Sequence, residues 1–160
     1  YARRPRQLSY LLLLVVAIVA IYIGVRDLKF QIISDSANTV LLLLTLFGTI
    51  VLSISEAEIV KFGFTWLISL CVFLFLYLLA IVTKGAIGGG DIKFAPSMSA
   101  ALAWFNPAAG FWFLLVGFQV AAVVAIYKLT FKGASLKQRI AFGPYLTLGY
   151  LLTAGWFLAL

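Results

Sequence analysis

The sequence predicts an all-α integral membrane protein with six transmembrane helices, and its composition and length carry that prediction. Of its 160 residues, 64% are hydrophobic and 11% are charged, against about 45–50% and about 25% in an average soluble domain. Such a chain cannot cover its apolar residues with polar surface, so we expect it to be surrounded by lipid. At about 20 residues per crossing, the length allows six helices with short connections, in a single domain over residues 1–160.

The apolar runs indicate helices rather than strands. A transmembrane strand alternates apolar and polar residues, whereas residues 11–19 and 40–44 are apolar throughout. We read the first span as retained and not as a secretion signal, because it lacks a small-residue cleavage site and its far end is charged. The six predicted spans cover residues 8–26, 37–55, 60–83, 92–105, 108–130 and 141–159.

The connections between the spans contain residues that begin or end helices. Serine and aspartate at 34–36 offer capping oxygens to the second span, and the polar segment 55–58 separates the second span from the third. A glycine-rich turn at 85–90 precedes the fourth span. Prolines 107 and 144 fall near the starts of the fifth and sixth spans, where a missing N–H is tolerated.

The distribution of Lys and Arg predicts the orientation. One face of the membrane receives four cations, and the richer face should be cytoplasmic, which leaves the N-terminus outside. That richer face receives Arg26, Lys29, Lys84, Lys93, Lys128, Lys132, Lys137 and Arg139. Because these cations are scattered between spans, we expect contacts with membrane lipids and none with nucleic acid. The predicted location is the inner (cytoplasmic) membrane.

Composition also excludes several kinds of site. The chain has no His and a single cysteine, Cys71, in the middle of an apolar span. It therefore cannot form an internal disulfide, a Cys-rich zinc module or a Ser–His or Cys–His nucleophile. We expect no metal and no cofactor.

Two aspartates draw attention because the chain has only five acidic residues. Asp27 follows the first span and Asp91 follows the third, so one outward and one inward crossing separate them. Both should return to the same depth on the cytoplasmic face. Because a charge close to hydrocarbon is costly, aspartates kept at that depth usually have a function. Two carboxylates about 3 Å apart share one proton and can act as acid and base on a peptide.

The second aspartate follows a run of three glycines at 88–90. Residues without Cβ adopt positive φ and allow close backbone approach, which would let an extended peptide lie beside the acid. The alternative is a helix C-cap followed by a merely solvated aspartate.

Three segments together resemble one protein family. GGGD at 88–91, continued as IK, resembles the Gly-x-Gly-Asp signature in the form found in type IV prepilin and preflagellin peptidases. DLKFQIISD at 27–35 is similar to their first aspartate motif, with Ser34 in place of the usual Pro. IAFGPYL at 140–146 is similar to their Phe-Gly-Pro segment, and the Pro-Ala-Leu of presenilin-type enzymes is absent.

The resemblance implies an intramembrane aspartyl endopeptidase of the short, peptidase-only form, without N-methylation of its product. It would remove the basic leader of a type IV pilin-like or preflagellin-like precursor at the cytoplasmic boundary of the membrane. Asp27 and Asp91 would be the catalytic pair. Residues expected to shape the site or bind substrate are Gly88, Gly89, Gly90, Lys93, Asp35, Gly143 and Pro144.

Alternatives stay open at this point. A small cation- or proton-coupled transporter would also keep aspartates at membrane depth, and a non-catalytic scaffold would need neither. For Asp35 the alternative is an N-cap of the second span, and for Lys93 an interfacial anchor. The sequence also leaves open whether the protein is a homodimer.

Overall fold

A computed structural model describes residues 4–84, 87–131 and 141–159, and it is helical throughout those ranges apart from connecting segments. The all-helical class and the order of the helices are as predicted in the described residues, with the boundaries shifted by a few residues. The six helices are α1 (Arg4–Phe30), α2 (Asp35–Glu56), α3 (Ile59–Val82), α4 (Gly89–Ala103), α5 (Ala109–Phe131) and α6 (Gly143–Ala159).

Four of the six helices are long and apolar enough to cross a membrane. These are α2, α3, α5 and the part of α1 from Gln7 to Phe30. Helices α4 and α6 have 15 and 17 residues, or about 22 and about 25 Å at about 1.5 Å per residue, against a hydrocarbon core of about 30 Å. Six helices are therefore confirmed in the part of the chain that the structure describes, whereas six complete crossings stay a prediction.

Helix α4 lies at the centre of the bundle and contacts each of the other five helices. Eleven of its fifteen residues are buried, because the segment from 95 to 103 is rich in Ala and Ser, which lets neighbouring backbones approach closely. Serine hydroxyls make two of its polar contacts: Ser69 of α3 donates to the carbonyl of Pro96 at 2.8 Å, and Ser99 donates to that of Gly110 in α5 at 2.9 Å. This central position brings the start of α4 against α2.

Helix α6 packs closely on α5 and α1 through glycines. A methyl group on Gly117 would lie 3.0 Å from the carbonyl oxygen of Tyr145, and one on Gly24 would lie 2.8 Å from Oγ1 of Thr147. The close approach of α6 to α1 places the first residues of α6 beside the last turn of α1. Large side chains on the outer faces stay exposed, as expected of a lipid-facing surface, among them Leu14, Phe47, Leu78 and Ile126.

A polar cluster ties the helices together at the other end of the bundle. Glu56 at the end of α2 accepts hydrogen bonds from Ser9 of α1 at 3.1 Å and from Lys61 of α3 at 3.4 Å. The Lys61 ammonium also lies 4.6 Å from the ring centroid of Trp104. The two ends of the bundle are therefore chemically different, and Asp27 and Asp91 lie together at the end opposite this cluster.

Candidate active site

Asp27 lies in the last turn of α1, with only 4% of its surface exposed. Its Oδ2 accepts a hydrogen bond of 3.1 Å from the backbone N–H of Gly143, the first residue of α6. The N-terminal end of a helix carries a partial positive charge and free N–H groups, which favour a carboxylate. The end of α1 and the start of α6 thus build the surroundings of this aspartate jointly.

Gly143 is required at this position because there is no space for a side chain. A methyl group would lie 2.8 Å from Oδ2 of Asp27 and 3.0 Å from Cδ1 of Ile33. Pro144, the next residue, is buried at the second position of α6, where its missing N–H costs nothing. One turn further, the Thr147 hydroxyl bonds the carbonyls of Gly143 at 3.0 Å and Ala20 at 3.1 Å, which holds Gly143 against α1.

Asp91 lies in the first turn of α4 and is 6% exposed. Its carboxylate receives a hydrogen bond from the backbone of Gly88, the residue that caps α4, and it interacts electrostatically with Asp27. Its Oδ1 is buried and has no hydrogen-bond partner among the described residues. The structure therefore brings the two predicted aspartates together, each beside the N-terminus of a helix.

The glycine run differs from the prediction. None of the three has a positive φ: Gly88 is extended, with φ −68° and ψ 141°, while Gly89 and Gly90 belong to α4 itself. Asp91 is therefore carried by a helix and not by a glycine turn. What the fold needs here is space, because a methyl on Gly90 would lie 2.8 Å from Cβ of Ile33 and one on Gly88 would lie 3.0 Å from Oδ2 of Asp91. Gly89 has no atom within 4 Å of that position.

Lys93 and Asp35 form an ion pair at the exposed rim of the site. Lys93 Nζ lies 2.7 Å from Asp35 Oδ1, and the two side chains are 57% and 76% exposed. The alternative reading of Asp35 as the N-cap of α2 is wrong, because Asp35 is the first residue of the helix itself. Ser34 holds the N-cap position, and its side chain makes no capping hydrogen bond. The pair joins the starts of α2 and α4 just outside the two buried aspartates.

The amino-acid sequence matches the model of the type IV leader peptidase family over residues 14–127, which is more than two thirds of the chain. The chain belongs to this family. The match includes Asp27, Asp35 and Asp91 and stops before Gly143. No curated protein and no solved structure matches the chain. Family membership identifies the protein as a peptidase in general, which favours the enzyme over the transporter and the scaffold.

Two residues near the aspartates of this leader peptidase were not predicted to belong to the site. Ile33, in the connection between α1 and α2, touches both Gly90 and Gly143 and so fills the space between the supports of the two aspartates. Asn38 of α2 is buried and bonds the carbonyl of Gly90. Asn38 could have been predicted, because an amide at the start of an apolar helix is unusual. Ile33 could not, because nothing distinguishes it from the other aliphatic residues of the sequence.

The arrangement of Asp27 and Asp91 in this leader peptidase is suited to acid–base chemistry. Two buried carboxylates from different helices interact electrostatically. Because two like charges repel, such a pair is more stable with one shared proton than with both carboxylates ionised. Its protonation belongs to the pair and not to either residue. Within the described ranges, no group of three His, Cys, Asp or Glu side chains could hold a metal ion.

Proposed function

We propose that this leader peptidase is an aspartyl endopeptidase in which Asp27 and Asp91 together activate a water molecule. The observation that carries the proposal is the pairing of these two buried carboxylates at one end of the bundle, each bonded to the backbone of a glycine at a helix start. Burial without a cationic partner is costly for a carboxylate, and a shared proton lowers that cost. Such a pair is a charged base and a neutral acid at once.

The reaction follows from that protonation state. The ionised carboxylate takes a proton from water as the water oxygen bonds to the peptide carbonyl carbon, while the protonated carboxyl donates its proton to the carbonyl oxygen. The tetrahedral gem-diol then loses its C–N bond as the newly protonated carboxyl gives its proton to the leaving nitrogen. The other carboxylate takes a proton from one of the two hydroxyls, which yields the carboxylic acid product and restores the singly protonated pair. Oδ1 of Asp91 has no hydrogen-bond partner among the described residues and keeps its acceptor capacity for the reaction, and Gly143 keeps Asp27 in place.

The substrate we propose is a pilin-like precursor with a basic leader, cut where its apolar helix meets the cytoplasmic face. Family membership supports this class of substrate. The aspartate pair supplies negative charge at the site for a basic leader. The exposed carboxylate of Asp35, which Lys93 pairs in the free protein, would exchange that partner for a cation of the leader. An extended peptide lying along the glycine run would reach Asp91, because Gly89 leaves open space there.

Cleavage of a pilin-like precursor by the purified protein in detergent or lipid tests the function. Wild type is compared with Asp27→Asn and Asp91→Asn, and product mass locates the cut. Both substitutions keep the size of the side chain, so folded variants without activity would support a two-aspartate mechanism. A wild-type protein that leaves every precursor intact, but is stabilised against heat by cations, would favour the transporter instead. Full cleavage by either Asn variant would exclude the proposed mechanism.

A further inference from the structure

Asn38 is a buried amide whose side chain reaches across to another helix. It lies in the first turn of α2 and is 4% exposed. Its Nδ2 donates a hydrogen bond of 3.1 Å to the carbonyl oxygen of Gly90 in α4. Because a carbonyl oxygen only accepts, the amide nitrogen must face Gly90, and Oδ1 points elsewhere. No described residue donates a hydrogen bond to that oxygen.

The bond from Asn38 acts on the peptide unit that leads into Asp91. The carbonyl of Gly90 and the N–H of Asp91 belong to one planar peptide unit. The N–H side of this plane donates to the carbonyl of Gly88 at 3.0 Å, and Asn38 holds the carbonyl side. The plane is thus fixed from both edges, once within its own chain segment and once by α2. Fixing the plane fixes the N–Cα bond of Asp91, and the helical backbone of α4 then sets the direction in which its side chain leaves that bond.

Packing alone does not account for an amide at this position. A buried acceptor without a partner costs about 1–3 kcal/mol, and a leucine of similar size would avoid that cost. Leucine is the residue that α2 uses at its next buried position, Leu41. What an amide adds over leucine is the hydrogen-bond donor to Gly90.

We propose that Asn38 is a positioning residue for the reaction, which orients Asp91 by holding the Gly90–Asp91 peptide plane. This inference rests on the proposed catalytic role of Asp91. A displacement of about 1 Å in a reacting group can lower a rate about 100-fold. Loss of the donor should therefore slow the chemical step far more than it weakens substrate binding.

The test compares Asn38→Leu and Asn38→Ala with the wild-type protein on a pilin-like precursor. Leucine approximately keeps the volume and removes the donor, and alanine removes the whole amide without adding bulk. The control is Thr45→Val in the same helix, because the Thr45 hydroxyl is buried but bonds only its own helix, at Leu41. We measure kcat, KM and the thermal unfolding midpoint of all four proteins.

We expect kcat to fall about 10- to 100-fold in both Asn38 variants while KM changes less than about two-fold, with Thr45→Val unchanged. Wild-type kcat in a folded Asn38→Leu protein would overturn the inference. So would equal losses in all three variants that follow the folded fraction, since these would show a role in stability alone. If the Asn38→Leu protein does not fold, the smaller alanine variant decides. Failure of the wild type to cut is a different result, which counts against the proposed function itself.

Discussion

The backbone N–H of Gly143 donates a hydrogen bond to Oδ2 of Asp27 across a separation of 116 residues. This contact joins the last turn of α1 to the first residue of α6 and gives a buried carboxylate the partner that it needs. It also explains a glycine whose backbone conformation alone would not require one. The contact yields the sharpest predictions, because the space around Gly143 is measurable and small.

Gly143→Ala should lower kcat about 10- to 100-fold. The added methyl would lie 2.8 Å from Oδ2 of Asp27, which is too close, so the carboxylate must move or the bond to Gly143 must break. The matched control is Gly155→Ala in the same helix, where no atom lies within 4 Å of the added methyl. Steady-state cleavage of a precursor, corrected for folded protein, measures the effect. Equal activity of the two alanine variants would contradict this account of the site.

The glycines at 89 and 90 should respond differently to the same change. Gly90→Ala places a methyl 2.8 Å from Cβ of Ile33, where overpacking costs about 1–3 kcal/mol, so the unfolding temperature should fall. The methyl group added by Gly89→Ala has no atom within 4 Å in the free protein, so this change should not lower the unfolding temperature. If the peptide lies along the run as proposed, the Gly89 methyl should instead raise KM. Thermal unfolding separates the two effects from kinetics, and a destabilised Gly89→Ala would show that the space beside it is not open.

Thr147→Val should weaken the contact between α6 and α1. The change removes a buried hydroxyl whose single proton is shared between the carbonyls of Gly143 and Ala20, and the loss of such a hydrogen bond costs about 0.5–1.5 kcal/mol. Because Gly143 supports Asp27, we expect a lower unfolding temperature together with a lower kcat. Thr153→Val is the control, since the Thr153 hydroxyl is buried in the same helix without a partner among the described residues. That variant should be as stable as the wild type or more stable, and the opposite order would refute the role given to Thr147.

Much of this architecture was predictable from sequence because apolar runs determine both the number of helices and the end at which each terminates. Because two predicted spans separate Asp27 from Asp91, the sequence predicted both at the same end of the bundle, and the structure brings them together there. The central burial of α4 was not predictable in the same way, since a run of Ala and Ser indicates close packing without naming the partners.

The finer parts of the site depend on contacts between distant segments. Asn38 and Gly90 are 52 residues apart, and their contact exists only once α2 lies against α4. The expectation of positive φ in the glycine run was wrong for a related reason. A glycine serves equally where the backbone is unusual and where a neighbour leaves no space, and the sequence does not distinguish the two. Only the position of Ile33 shows that Gly90 belongs to the second kind.

The ion pair of Lys93 and Asp35 should contribute little to stability. Both side chains are more than half exposed, and exposed pairs of this kind contribute about 0–1 kcal/mol and weaken as salt rises. A double-mutant cycle with Lys93→Ala and Asp35→Ala, followed by chemical or thermal unfolding at low and high salt, measures the coupling. We expect a coupling below about 1 kcal/mol that decreases with salt. If Asp35 also receives the basic leader, as proposed, Asp35→Ala should raise KM while Lys93→Ala should not. A large coupling that persists in high salt would instead make the pair a structural link between α2 and α4, and would remove the reason to assign Asp35 to the substrate.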